Sequence, residues 1–193
     1  MWSTELLAAR LVLGSVFLVA GIGKLSSSRV QLVDAMMNYR LLTYHQVRII
    51  APFLPFGELA LAVLCIAGIG LPIVVGFMVF LLLVFTGAIV INLVWGRRFS
   101  CHCFGRSNTM IGPTVVVRNS ILLAIAIFVV IQSLPFVGIA ATFALWRTDV
   151  RLLTRIETVA PLLAVVALAL GVLMLLDGID VVLSQASTDT RRN

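Results

Sequence analysis

Apolar residues run along this chain in long blocks separated by short polar stretches. The blocks are Leu6 to Ile22, Ile49 to Ile69, Ile73 to Trp95, Pro113 to about Ser133, and Thr158 to Leu176. At a rise of about 1.5 Å per residue, some 20 residues cross a hydrocarbon core of about 30 Å, so each block predicts a membrane-spanning helix. The first should be uncleaved and end at Lys24, since no Lys or Arg precedes Glu5, Arg10 lies inside the run, and Gly21-Ile22-Gly23-Lys24 offers no small-x-small cleavage site. Between the first two blocks, Leu32, Val33, Met36, Met37 and Leu41 share one helical face while Arg29, Asp34, Asn38 and Arg40 fall elsewhere. Such a segment should lie along the interface.

The second block contains Pro52, Pro55 and Glu58, and its prolines are expected in the first turns, where a missing backbone donor costs least. Gly68, Gly70 and Pro72 leave room only for a hairpin into the third block. After the fourth, Leu134-Pro135-Phe136 should end or kink the helix, and Gly138 to Trp146 is too short to span. The predicted fold is an all-α integral membrane protein: an antiparallel four-helix transmembrane bundle plus an additional C-terminal transmembrane helix. Residues 5–135 form the core, with a Cys-x-Cys loop at 96–112. Residues 136–176 hold the kinked or interfacial segment, a charged connector and the fifth span, and 177–193 a flexible polar tail.

Composition agrees with this reading. The chain is 61% hydrophobic and 11% charged, with a mean hydropathy of +1.15, which excludes a soluble domain and implies a multi-pass integral membrane protein, expected in the plasma (inner) membrane. A formal charge of +6 raises the question of nucleic acid, but the basic residues sit in the gaps between apolar runs and form no binding motif. Their partners are the headgroups of the lipid bilayer.

Two crossings, the second and third spanning helices, separate the end of the first helix from the loop between the third and fourth, which puts both on one membrane face. Lys24, Asn92, Arg118 and Asn119 should therefore converge on that loop, with Glu58 about two and a half turns into the second spanning helix. An ionisable group at that depth costs about 2.5–3.5 kcal/mol, so Glu58 should face the bundle and pair with Lys24 or Arg118. Cys65, far along a helix that starts on this face, should be a packing residue.

The loop itself carries Cys101-His102-Cys103-Phe104-Gly105 with Arg97, Arg98 and Arg106 nearby. Cysteines one residue apart can close a strained, oxidising disulfide, and the surrounding positive charge favours the attacking thiolate. Cys101, Cys103 and His102 are thus the candidate catalytic residues, supported by Lys24, Glu58, Asn92, Arg118 and Asn119. Two other readings stay open: a Cys/His metal site and a bare structural disulfide. No metal or fixed cofactor is called for; a quinone held among the first four spanning helices is the one cofactor the arrangement admits. Recognisable hydrolase and kinase motifs are absent.

Cys101-His102-Cys103-Phe104-Gly105 followed by Arg118-Asn119, Leu54-Pro55-Phe56-Gly57-Glu58-Leu59, and Arg10-Leu11-Val12-Leu13-Gly14 leading to Gly21-Ile22-Gly23-Lys24-Leu25 together resemble the methylamine-utilisation MauE family and its DoxX-like relatives. The resemblance covers roughly residues 5–135 and is most specific in the Cys-x-Cys-Phe-Gly loop. It implies a four-helix membrane core and a thiol–disulfide oxidoreductase, or accessory subunit, acting beside an extracytoplasmic thioredoxin-like protein. In the founding case that role supports maturation of a disulfide-rich periplasmic dehydrogenase. The alternative in another class is a non-catalytic scaffold that docks a redox enzyme complex. The positive-inside rule, applied to Lys24, Arg29, Arg40, Arg48, Arg97, Arg98 and Arg106 against Arg147, Arg151 and Arg155, points the loop to the cytoplasm. Disulfide persistence and the resemblance point it outside, the orientation expected here.

Overall fold

A computed structural model describes residues 4–97, 112–134, 163–169 and 171–172. These form five named helices: α1 (Thr4–Leu25), α2 (Arg29–Asn38), α3 (Tyr44–Ala67), α4 (Leu71–Val94) and α5 (Pro113–Ser133). Four of them, α1, α3, α4 and α5, are long and apolar enough to cross a membrane, and the described residues contain no strand. Residues 163–169 and 171–172 are helical, while most of the expected fifth span, the connector and the tail lie outside the described residues.

The boundaries follow from local chemistry. Ser28 and Gln31 close a capping box at the start of α2, with the Gln31 N–H donating to Ser28 Oγ at 3.3 Å and the Ser28 N–H donating to Gln31 Oε1 at 3.0 Å. The expected interfacial stretch is therefore a short helix, which buries Leu32 and Ala35. Thr43 does the same for α3: its N–H donates to Gln46 Oε1 at 3.0 Å. That cap starts α3 at Tyr44, ahead of the apolar block, and corrects one expectation. Pro52 and Pro55 lie inside the helix rather than in its first turns. Neither can donate to the carbonyl four residues back, an interruption that neighbouring helices in a membrane bundle tolerate.

Helix α1 packs chiefly against α3, and α4 against α5. The first contact is close because Gly21 has no side chain: a Cβ there would stand 3.3 Å from both Leu59 N and Pro55 O. At the other end of the pair, Arg10 is buried and donates from Nε to Cys65 O at 3.2 Å and from Nη2 to Ile66 O at 3.0 Å. These are carbonyls of the last turn of α3, beyond the regular helical ladder, and Cys65 O also accepts from the Gly68 N–H at 3.2 Å. The turn into α4 passes through Gly68 and Gly70, both left-handed. The central core joins Leu13, Val16 and Phe17 of α1, Cys65 of α3, Met78 of α4 and Leu122 of α5. Cys65 is thus a packing residue, with its thiol donating to Arg10 O at 3.7 Å. Outward-facing Phe53, Phe56, Phe77 and Phe80 are more than half exposed, the pattern of a surface meant for lipid.

A second, smaller cluster of Leu32, Val47 and Ala51 seats α2 on the first turns of α3. Because α3 begins early, Glu58 lies about four turns into it, yet meets the very end of α1. The first turns of α3 thus extend past α1, and α2 folds back against that extension.

Candidate functional site

Most of the buried polar residues, Lys24, Glu58, Asn92, Arg118 and Asn119, gather at the end where α1 stops and where Arg97 and Gly112 flank the loop, while Arg10 and Ser133 lie toward the other end. Lys24, in the last turn of α1, forms an ion pair with Glu58 Oε1 of α3. Both are buried, at 8% and 3% exposure, so the pair is largely desolvated. The close approach at Gly21, one turn before Lys24, sets the two backbones near enough for the contact. The ammonium also stands 5.2 Å from the centre of the Phe85 ring of α4, a cation–π distance. Glu58 Oε2 is buried and has no hydrogen-bond partner among the described residues.

Asn92 of α4 is fully buried and donates from Nδ2 to Tyr39 O at 3.1 Å and to Ala88 O at 2.9 Å. It therefore ties α4 to the residue that ends α2. Tyr39 lies outside the spanning helices, and burial pushes its phenol up to about 12, against a smaller opposing pull from the Arg118 guanidinium. Arg118 and Asn119 are buried in the first turns of α5.

A cavity of about 90 Å³ lies among these groups. Lys24, Glu58, Tyr39, Arg118 and Asn119 line it, and the rest of its wall is mainly apolar, with Phe17, Leu82, Phe85 and Leu122 prominent. Helix α2 supplies Leu32, Ala35 and Met36, so the amphipathic segment also forms part of the wall. Such a mostly apolar pocket with a few convergent polar groups is the usual form of a small-molecule site.

Four of the five supporting residues read from the sequence therefore share one cavity, and the fifth, Asn92, holds an adjacent backbone in place. Of the two cations that could have met Glu58, Lys24 is the one in its ion pair. Cys101, His102 and Cys103 lie outside the described residues. Sequence reasoning passed over Tyr39 and Phe85. Tyr39 could have been found as the aromatic residue closing the amphipathic stretch; Phe85 sits in a helix apolar on every side and carries no such signal. Among the described residues no three His, Cys, Asp or Glu side chains are placed to hold a metal ion.

The family model for Methylamine utilisation protein MauE matches residues 3–132. A curated relative, "Methylamine utilization protein MauE" of Paracoccus denitrificans, is 32% identical over 123 residues, which is 62% of this chain and 65% of the relative. The aligned region thus spans just under two thirds of that protein's length. No solved structure matches.

Proposed function

The chain belongs to the MauE family, and from that premise we propose that it is a membrane-embedded thiol–disulfide oxidoreductase, or the accessory subunit of one, using Cys101 and Cys103. Its partner would be an extracytoplasmic thioredoxin-like protein, and its role the maturation of disulfide-containing or redox proteins. The functional unit would be the core of residues 5–135.

The supporting observation is that Lys24, Glu58, Arg118 and Asn119 are all buried at the end of the bundle from which the Cys-x-Cys loop departs. Buried charge is costly and is a weak source of stability in a membrane, so its concentration at one end favours a functional use. In the exchange, a partner thiolate attacks one sulfur of the Cys101–Cys103 disulfide, forming a mixed disulfide and releasing the other cysteine. The second partner thiol then displaces the bound sulfur. The partner leaves with the disulfide and this chain keeps two thiols, having gained two electrons and two protons. His102 and the Arg97, Arg98 and Arg106 cations would stabilise thiolate character, and Lys24 with Glu58 would serve the proton balance from below.

Single Cys101→Ser and Cys103→Ser variants test this. The thiol left in one of them should attack the disulfide of an oxidised thioredoxin-fold protein and be recovered as a mixed disulfide with it, and the double variant should form none. A double variant that keeps full function in the cell would overturn the exchange reading in favour of a docking scaffold.

A further inference from the structure

The cavity lined by Lys24, Glu58 and Asn119 has a polarity pattern of its own, independent of the thiols. Glu58 Oε2 is a buried acceptor without a donor among the described residues. Other groups on the same wall are donors. The Lys24 ammonium has three N–H bonds and gives one to Glu58 Oε1, and the Asn119 amide has two. A ligand group that satisfies both sides must give one hydrogen bond and accept at least one. A hydroxyl does this with a single atom. A carboxylate has nothing to donate and adds a second negative charge beside Glu58; a quinone carbonyl or an ether likewise leaves Oε2 unmet. An ammonium donates but cannot accept, and it joins Lys24 and Arg118 as a third cation.

Size and lining narrow the class further. About 90 Å³ exceeds the room one water needs, and is less than the ~150 Å³ of an engineered cavity that holds benzene. It takes a hydroxyl and the carbons next to it, with the remainder of the molecule outside. The Phe17, Phe85 and Leu122 side chains make the wall suited to an apolar body. We propose that this cavity is a binding site for a lipid-soluble alcohol or phenol, whose O–H donates to Glu58 Oε2 and whose oxygen accepts from Lys24 or Asn119.

The test uses the full chain in phosphatidylcholine nanodiscs and radiolabelled 4-hexylphenol as the probe, with empty nanodiscs as the background. Binding should saturate at one site per chain. The methyl ether 4-hexylanisole, decanoate and a short-chain benzoquinone should each compete at least about tenfold less well than unlabelled 4-hexylphenol, the loss expected for one hydrogen bond. Competition by 1-decanol would assign the site to aliphatic lipid alcohols, and its failure to compete would assign it to phenols. Glu58→Gln and Asn119→Leu should each weaken binding, and the probe series on the unmutated chain decides the matter if either variant does not fold. Binding should be unchanged in the Cys101→Ser, Cys103→Ser protein, which keeps this inference separate from the exchange reading. Absence of saturable binding, or an ether, carboxylate or quinone that binds as well as the phenol, would overturn it.

Discussion

Lys24 and Glu58 meet as a buried ion pair although one ends its helix and the other lies about four turns inside its own. The contact fixes how far α3 reaches past α1, and that offset creates the ledge on which α2 folds. A single pair thereby places the wall of the cavity. Removing one partner should leave an uncompensated charge and cost about 3–5 kcal/mol. Replacing both with apolar side chains should recover most of that loss, as buried pairs elsewhere do. Denaturation of Lys24→Met, Glu58→Leu and the double variant in detergent micelles checks this, and additive losses would contradict it.

Arg10 and Gly68 should be coupled at the opposite end of α3. Gly68 has φ of 77°, and a Cβ there would lie 2.6 Å from Arg10 Nη2. Gly68→Ala should therefore cost about 1–2 kcal/mol for left-handed strain, plus the displacement of the guanidinium that caps α3. In an Arg10→Met background only the strain remains. The same substitution should then cost less by at least ~0.5 kcal/mol, a difference a double-mutant cycle reads directly.

Tyr39 predicts a pH dependence. Its phenol is pushed from 10.0 up to about 12, mainly by burial. Between those values the unfolded chain has lost the proton and the folded chain holds it, so stability falls as pH rises across that window. The contribution is present in full below pH 10 and lost above about 12, amounting to about 2–3 kcal/mol. The phenolate absorbance that disappears in Tyr39→Phe should titrate near the upper value; a midpoint near 10 would contradict the burial.

Most of the bundle was legible because a membrane span needs only length and apolarity, and the four blocks supply both. That Glu58 would pair with a cation was legible, because charge at membrane depth must find a partner, but the sequence left Lys24 and Arg118 both open and the fold brought Lys24 to it. The start of α3 was not, since the capping box at Thr43 and Gln46 outweighs the apolar boundary at Ile49. That moved Pro52 and Pro55 into the helix interior and Glu58 deeper along it. Phe85 was illegible because α4 is apolar on every side, and the cavity because it depends on how α2 folds back, which no periodicity along a ten-residue helix encodes.

The orientation of the loop bears on the central proposal. Lys24 is buried in its ion pair and is a poor topogenic charge, whereas Arg29, Arg40 and Arg48 are exposed and retain their weight in the positive-inside rule. The most direct test labels intact cells with a membrane-impermeant maleimide, with and without an impermeant reductant, in a Cys65→Ser background so that only Cys101 and Cys103 report. Serine keeps a donor for Arg10 O, preserving the local contact. Labelling that appears only after reduction is the predicted result, and it would mean an exchangeable disulfide on the outer face. Cells that resist labelling until lysis, and then label without any reductant, would hold free thiols inside and contradict the extracytoplasmic exchange.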